Sequence, residues 1–294
     1  MKYKQILIAT KGTTCLPLVN ALNGKQHNVY VALPTSHAIL QAAFASVLTS
    51  DQIILIEEGD LSEQIGYDLI LYHDYTPSTL TDVPTVEIHF GQVPESYGAD
   101  PLFWALKQGK HLAYISLIQH HKQADHVTLL SEKNFDIMPG ENLGILTARL
   151  GVLMVAEVEE VLKGIGNGKT VPNSKLVINP MPTEKDFTID WNSMEALQIE
   201  HLVDACNPKY GGARTLIQGA HLQILEVSQA NVNTQDDQPP QPSGTIIYAS
   251  ADQGLFVACK GKTFLRLNIL STGEGFFTGQ KLSNLGTQPG ILLG

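Results

Sequence analysis

The chain carries little positive charge for its length. Among its 294 residues, 19 are Lys or Arg and 29 are Asp or Glu, which gives a formal net charge of −10 at pH 7. Proteins that bind a phosphate backbone do so through clustered Lys and Arg. The charge balance therefore disfavours nucleic acid as the default partner.

Cysteines and long apolar runs are also scarce. The three cysteines, Cys15, Cys206 and Cys259, are too few and too scattered for a disulfide framework or a zinc pattern. No stretch of about 18 apolar residues occurs, and the N-terminus lacks the apolar core of a signal peptide. The histidines fit no metal-ligand spacing, so we expect no metal site. We expect a soluble cytoplasmic protein of two domains with no membrane partner.

Short apolar strands alternate with helices in the first half of the chain. Strands are predicted at 5–9, 28–33, 52–57, 67–73 and 85–89, and helices at 15–23 and 38–48. The stretch from Glu58 to Gly66 is too short and polar for a full crossover helix. This alternation predicts an α/β fold with a Rossmann-like parallel sheet. The motif G-x-G-x-x-G is absent, so a dinucleotide site is not supported.

The second half begins after the longest helical pattern, which runs from 142 to 164. A Gly-rich stretch at 164–174 follows, then a helix at 193–205 and several short strands. The polar segment 231–243 predicts a solvated loop. We expect an α/β domain at 1–165, a linker at 166–187, and a smaller OB-like β-barrel domain at 188–294.

Ionisable groups stand at the end of the fifth predicted strand. Glu87 and His89 are two residues apart, so their side chains share one face. An imidazole can act as a general base near neutral pH, and a carboxylate can orient it. A histidine at a strand end is also commonly a hydrogen-bonded core residue. Both interpretations stay open on these residues alone.

The segment 87–109 resembles a pattern of the folate-dependent formyltransferases, Asn-x-His-x-Ser-Leu-Leu-Pro-x-x-Arg-Gly followed by Pro and an aromatic helix. His89 matches the family's histidine, and Asp125 falls on its catalytic aspartate. The stretches 183–191, 207–214 and 244–258 resemble the family's C-terminal domain. The resemblance implies formyl transfer from 10-formyltetrahydrofolate to a primary amine. It assigns catalysis to His89, Asp125 and the position of Glu87.

The same alignment implies a set of co-substrate-binding residues: Gly91, Val93, Pro94, Tyr97, Gly98 and His126. Several of these positions depart from the family pattern. Glu87 replaces the asparagine that donates to the developing oxyanion, and an ionised carboxylate only accepts hydrogen bonds. Tyr97 replaces the loop arginine, and His126 replaces a small residue. These changes predict a degenerate active site.

Three functions follow from the resemblance. The first is formyl transfer to the amine of a small or carrier-bound substrate. The second is a catalytically impaired relative that binds a ligand or partner. The third is methionyl-tRNA formyltransferase. From Asp190 onward the chain has six basic and nine acidic residues, a net charge of −3, which disfavours tRNA. The sequence does not give the oligomeric state.

Overall fold

The computed structural model describes residues 3–25, 27–57, 59–61, 66–164, 168–232 and 241–294. The chain divides into two compact units, and neither is contiguous in sequence. The first unit comprises Met1–Pro101, Leu112–Asp136 and Thr147–Pro180, and the second comprises Leu102–His111, Ile137–Leu146 and Met181–Gly294. Two short segments before residue 165 thus belong to the second unit. The boundaries at 165 and 188 stay predictions.

The elements are numbered in chain order. The strands are β1 (Gln5–Thr10), β2 (Asn28–Pro34), β3 (Ile53–Ile56), β4 (Leu69–His73), β5 (Thr85–His89), β6 (Tyr97–Gly98), β7 (Leu112–His120), β8 (His126–Asp136), β9 (Lys169–Pro172), β10 (Ile178–Asn179), β11 (Ala213–Ile217), β12 (Ala220–Ala230), β13 (Ile246–Ser250), β14 (Gly254–Ala258), β15 (Phe264–Thr272) and β16 (Gly275–Thr278). The α-helices are α1 (Leu16–Asn23), α2 (Gln41–Phe44), α3 (Pro101–Lys107), α4 (Leu143–Leu162), α5 (Glu184–Phe187), α6 (Ala196–Cys206) and α7 (Gly279–Asn284).

An eight-stranded mixed sheet forms the centre of the first unit, in the order β3-β2-β1-β4-β5-β7-β8-β9. The five strands from β3 to β5 pair in parallel, which confirms the predicted α/β fold. The three added strands pair antiparallel, and β7 and β8 form a hairpin joined by a short turn. The central strand β1 is buried from Ile6 to Thr10, as expected for a strand covered on both faces.

The second unit contains an antiparallel sheet of six strands. Its order is β11-β12-β15-β14-β13, with β16 paired to β15. Helix α6 contributes an apolar face with Ile199, Leu202 and Val203 buried at helical spacing. The antiparallel sheet agrees with the predicted second domain, whereas closure into an OB-like barrel stays a prediction.

One prediction of secondary structure was wrong in detail. The helix predicted at 38–48 is instead a 3₁₀ segment at Thr35–Leu40 followed by only the single turn of α2. Local side-chain bonds compete with the helix there, because Ser36 pairs with His37 and Ser46 donates to the Ala43 carbonyl. The predicted linker at 166–187 contains strand β9, which pairs with β8.

Some predictions fall outside the described residues. These are parts of the polar stretch 58–66, of the Gly-rich stretch 164–174 and of the loop 231–243. Among the helices that are described, none combines the length and apolar character needed to cross a membrane. The three cysteines are free and buried, and burial raises the pKa of each thiol to about 12.

Candidate active site

The candidate site lies at the carboxyl end of the parallel strand β5. The strand alternates, so Val86 and Ile88 face one side of the sheet and Glu87 and His89 face the other. Glu87 is in register with Tyr72 of the neighbouring strand β4. Strand ends in open α/β sheets are where ligand crevices form. The sequence thus places both ionisable groups of β5 at such an end.

The Glu87 carboxylate accepts four hydrogen bonds from the chain. One oxygen, Oε1, lies 3.0 Å from His89 Nδ1. The other, Oε2, lies 2.8 Å from His120 Nε2, 3.1 Å from Tyr97 Oη and 3.2 Å from Tyr72 Oη. Three of these donors share Oε2 and one contacts Oε1, so the protein itself provides donors to both carboxylate oxygens.

These contacts keep Glu87 ionised. Burial alone would raise its pKa, but the hydrogen bonds from His120 and His89 lower the pKa well below the usual range of a glutamate. Burial and the negative charge of Glu87 raise the pKa of Tyr72 and Tyr97 above the usual range. Both hydroxyls thus remain protonated donors. A fixed negative charge stands where the family resemblance had a neutral asparagine.

The imidazole of His89 is held between two acceptors. Its Nδ1 faces the Glu87 carboxylate, and its Nε2 lies 2.9 Å from the main-chain oxygen of Ser96. A carboxylate and a carbonyl cannot donate, so both ring nitrogens must carry protons. Burial alone would lower the pKa of His89, but the hydrogen bond and charge of Glu87 raise it above the usual value. His89 is an imidazolium in this arrangement.

His73 provides a contrast at the end of the adjacent strand β4. It is buried, its Nδ1 donates to the Ile88 carbonyl at 2.8 Å, and its ring lies 4.3 Å from that of Phe90. Burial lowers the pKa of His73 below the usual value. His73 is thus the hydrogen-bonded core histidine that a strand end commonly holds, whereas His89 is charged.

A loop from Phe90 to Ala99 covers His89. Segment 176–179 fixes the loop through Val177 N–H to the Pro94 carbonyl, Tyr97 N–H to the Val177 carbonyl, and the pairing of β6 with β10. The Asn179 side chain also donates to Ser96 Oγ at 2.8 Å. The Ser96 carbonyl therefore contacts His89 from a well-anchored loop.

The other predicted co-substrate residues lie along this loop. A Cβ on Gly91 would come within 2.4 Å of the Ser96 oxygen and 2.7 Å of His89 Nε2, so only glycine fits there. Gly98 adopts a positive φ of 96° against Asn179. Val93 is 4% exposed and packs with Ile118, Val127 and Val171. Pro94 is joined to Val93 by a cis peptide bond.

Tyr97 is a predicted co-substrate residue that contacts the charged pair directly. Its ring centroid lies 5.1 Å from that of His89, at an interplanar angle of 38°, and the residue is half-buried. Its hydroxyl group donates to Glu87. The loop thus presents a half-buried aromatic ring beside the imidazolium.

Asp125 and His126 lie elsewhere in the first unit. The Asp125 side chain is 102% exposed and its Oδ1 lies 3.2 Å from His126 Nδ1. The His126 ring in turn lies 5.3 Å from that of His121. The structure therefore brings Glu87, rather than Asp125, to the Nδ1 atom of His89. The catalytic role of Asp125 stays a prediction.

The residues that sequence reasoning missed come from neighbouring strands. Tyr72 pairs with Glu87 across β4 and β5, and His120 lies diagonally across β5 and β7. Both are polar residues at the last positions of a strand. Their positions near strand ends were the signal that could have identified these two residues. The sequence did not give the strand order that brings them to Glu87.

Two further features bear on the kind of site. In the part of the chain that is described, no group of three or more His, Cys, Asp or Glu side chains has a geometry suited to a metal ion. A cavity of about 450 Å³ occurs in the second unit, lined by Gln229, Lys262, Phe264 and neighbouring residues. That lining lacks an acid–base pair, so the chemistry points to β5 as the site.

The fold and the site define a class of protein. A mixed α/β sheet with a histidine–carboxylate pair at a strand end, together with a second, antiparallel unit, defines a two-unit α/β protein with a candidate acid–base site. Comparisons with known proteins narrow the class. A family profile described as "Formyl transferase, C-terminal domain" matches residues 182–280.

Sequence and structure relatives agree with this match. Methionyl-tRNA formyltransferase of Geobacter metallireducens is 28% identical over 248 residues, covering 79% of this chain and 75% of that protein. HypX from Aquifex aeolicus in complex with tetrahydrofolic acid has a TM-score of 0.61 at 16% identity and covers 97% of this chain. This chain spans 47% of HypX, less than half of that protein's length.

A third similar structure is WlaRD, a sugar 3N-formyl transferase determined with dTDP and 5-N-formyl-THF. It has a TM-score of 0.59 at 11% identity and covers 89% of this chain and 96% of its own. At these identities the two structures show the fold alone. The family profile and the sequence relatives support the resemblance to the folate-dependent formyltransferase family.

Proposed function

We propose that the protein transfers a formyl group from 10-formyltetrahydrofolate to a primary amine, with Glu87 as the carboxylate partner of His89. The observation that carries this proposal is the buried 3.0 Å contact between His89 Nδ1 and Glu87 Oε1. A carboxylate on one imidazole nitrogen orients the ring so that the other nitrogen can exchange protons. The similarity to formyltransferases and the folates named with two similar structures support the same chemistry.

The residues beside His89 fit a folate in kind. A flat heteroaromatic ring favours stacking on an aromatic face, and the half-buried ring of Tyr97 presents one next to the imidazolium. We assign Tyr97 and the main chain at Gly98 to holding this co-substrate, which supplies the activated formyl group when bound. Placing a ligand at His89 Nε2 requires the Ser96 carbonyl to leave that nitrogen.

His89 does the work that the family resemblance divides between a histidine and an asparagine. Glu87 cannot donate to a developing oxyanion, whereas the Nε2–H group of an imidazolium can. As the amine nitrogen bonds to the formyl carbon and the bond from that carbon to the donor nitrogen breaks, Nε2 gives its proton to the leaving nitrogen. It regains a proton from the amine, so His89 ends in its starting state.

We propose a small or carrier-bound amine as the acceptor rather than tRNA. The region from Asp190 onward has a net charge of −3, from six basic and nine acidic residues. An acidic region repels a phosphate backbone. Similar proteins include both kinds of acceptor in their names, methionyl-tRNA in one and a sugar in another.

A second candidate function is a relative that binds a ligand or partner without formyl transfer. One specific observation favours it: the anchored Ser96 carbonyl occupies Nε2, so neither nitrogen of His89 is open as the loop stands. In this case Glu87 acts as a block at the oxyanion position. The two candidates predict opposite effects of Glu87→Asn.

The test combines calorimetry with a stable 10-formyltetrahydrofolate analogue and a formyl-transfer assay on an amino sugar nucleotide and an aminoacyl carrier protein. Transfer that falls in Glu87→Asn supports the first candidate, because His89 then loses its carboxylate. Folate binding without transfer, with transfer gained in Glu87→Asn, supports the second and overturns the first. No heat at millimolar analogue together with no transfer overturns the folate proposal.

A further inference from the structure

A row of three polar side chains crosses the sheet beside the candidate site. His89 of β5 is in register with Ser116 of β7, and Ser116 is in register with Glu132 of β8. Residues in register on neighbouring strands project from the same face. Glu132 therefore lies two strands from His89, on the face that carries the covering loop.

Glu132 holds the first half of that loop. Its Oε2 accepts the main-chain N–H of Val93 at 2.7 Å and lies 3.1 Å from Ser116 Oγ. Ser116 Oγ also lies 2.7 Å from the Gly91 carbonyl. A hydroxyl group has one proton, so Ser116 donates to either Gly91 or Glu132 at a given moment. The carboxylate thus fixes the loop directly at Val93, and it shares the Ser116 proton with the Gly91 carbonyl of the same loop.

The direction of the Glu132 side chain is unusual for its position. Its neighbour Lys133 forms an ordinary surface ion pair with Glu157 at 2.9 Å. Glu132 turns instead to a main-chain N–H group of a residue that is 4% exposed. Without this acceptor the buried N–H group of Val93 would lose its partner, which is costly for a main-chain donor.

We propose that Glu132 is a positioning residue for the candidate site, fixing the loop 91–96 so that the Ser96 carbonyl lies on His89 Nε2. The inference rests on the proposed function, because it concerns access to the nitrogen that would exchange protons. Glu132 touches neither His89 nor the assigned co-substrate residue Tyr97 in the contacts described above. It acts through the main-chain N–H group of Val93 in the loop.

The negative charge of Glu132 also favours the protonated form of His89. After burial, which lowers the pKa of His89, and Glu87, which raises it, Glu132 also raises the pKa through its negative charge. The titratable groups that face His89 are Glu87 on its own strand, Tyr97 on β6 and Glu132 on β8. His73 on β4 is a further neighbour, whose pKa the charge of His89 lowers. We therefore expect loss of Glu132 both to loosen the loop and to lower the pKa of His89.

Three variants of the full chain separate anchoring from charge. Glu132→Ala removes the acceptor and the charge, Glu132→Gln keeps an acceptor for Val93 N–H, and Lys133→Ala is the matched control on the same strand. The first readout is amide hydrogen exchange of the peptide that spans Gly91 to Tyr97. We expect exchange to rise about tenfold or more in Glu132→Ala, because hydrogen bonds to a carboxylate are among the strong ones. Glu132→Gln and Lys133→Ala should retain most of the protection.

The second readout is formyl transfer. In Glu132→Ala the loosened loop no longer holds Tyr97 and Gly98 in one position for the co-substrate. We therefore expect KM for 10-formyltetrahydrofolate to rise about fivefold or more with a smaller change in kcat, and Glu132→Gln to restore it. A shift of the pH–rate profile to lower pH should accompany both charge-removing variants. A carboxylate with a purely structural role would not change KM or the pH–rate profile while the rest of β8 kept its protection from hydrogen exchange.

The outcomes distinguish this inference from the function on which it rests. Unchanged loop exchange in Glu132→Ala overturns the inference whatever the transfer assay gives. Faster loop exchange with unchanged KM and an unchanged pH profile also overturns it, since Glu132 would then anchor the loop without effect on the site. Absence of transfer in the unmodified protein overturns the proposed function, and the exchange comparison still decides whether Glu132 fixes the loop.

Discussion

The substitution Glu87→Gln removes a single negative charge from the buried cluster while keeping the volume of the side chain. Glu87 is 16% exposed and His89 is 4% exposed, so the pair is screened little by solvent. A glutamine carbonyl can still accept from Tyr72 or His120, but its NH₂ group faces donors instead of accepting from them. The variant leaves the imidazolium of His89 without its counter-charge.

The expected loss of stability depends on pH. Because Glu87 raises the pKa of His89, the stabilisation is complete below the pKa of an unfolded histidine, about 6.5, and is lost as pH rises through the folded pKa. Because hydrogen bonds lower the pKa of Glu87 against the effect of burial, its part is complete above about 4.3 and is lost only at lower pH. The ion pair therefore stabilises the folded state most between about pH 4.3 and about pH 6.5.

The magnitude follows from the burial of the pair. Removing one partner of a buried ion pair costs about 3–5 kcal/mol, which we expect for Glu87→Gln at pH 5.5. At higher pH His89 can release its proton, and the cost falls toward about 1–3 kcal/mol for polar groups left without good partners. The difference between the two conditions is the signature of the charge.

Urea unfolding measures this difference when it is read in the first unit. Both tryptophans, Trp104 and Trp191, belong to the second unit, so fluorescence would report the wrong part of the chain. Hydrogen exchange of the peptide that contains β5 is the suitable probe. His89→Asn and the double variant complete a cycle. A cost that is equal at pH 5.5 and pH 9, or a coupling below about 0.5 kcal/mol, would refute the buried ion pair.

Four further outcomes are expected. Asp125→Asn should change kcat/KM by less than about threefold because its side chain is fully exposed, and a loss of about a hundredfold would assign it the family role instead. Gly91→Ala should cost about 1–3 kcal/mol in thermal unfolding because its Cβ meets the Ser96 oxygen, whereas Gly12→Ala, with nothing within 4 Å, should cost less than about 0.5 kcal/mol. The three thiols should resist iodoacetamide at pH 8 until the protein unfolds, and rapid labelling of the native protein would contradict their burial. A gel shift with tRNA at low salt should show no complex, and a shift at micromolar protein would restore tRNA as acceptor.

The sequence was sufficient to predict the α/β class and the shared face of Glu87 and His89. Both follow from local rules, since apolar runs separated by helices predict a buried sheet and a two-residue spacing fixes the face. The antiparallel strands β7 to β9 were not predicted to extend the same sheet. Strand order depends on packing between segments far apart in the chain, which local patterns do not encode.

The partners of Glu87 could not be predicted for the same reason. Tyr72 lies 15 residues before Glu87 and His120 lies 33 residues after it, and only the pairing of three strands brings them together. The family resemblance instead predicted Asp125 as the catalytic carboxylate. In the structure the short turn before β8 exposes that side chain to solvent, because the hairpin ends there. The match to the family motif therefore predicted the position of His89 but not the carboxylate that contacts it.

The charge state of His89 also lay beyond the sequence. His73 and His89 both end parallel strands of the same sheet, yet burial lowers the pKa of the first and Glu87 raises that of the second. The difference arises from one acceptor on each nitrogen of His89. Such contacts depend on the loop that carries Ser96, and loop conformation is set by its anchors rather than by its own composition.

The most direct test of the account is the protonation of His89 at pH 7, measured by ¹⁵N NMR of histidine-labelled protein with His89→Asn for assignment. The account predicts protons on both ring nitrogens, with the Nε2 proton hydrogen-bonded and slow to exchange. In Glu87→Gln the same ring should become neutral as the pH is raised toward 7. A neutral His89 in the unmodified protein at pH 7 would contradict the buried ion pair and the proposed role of Nε2.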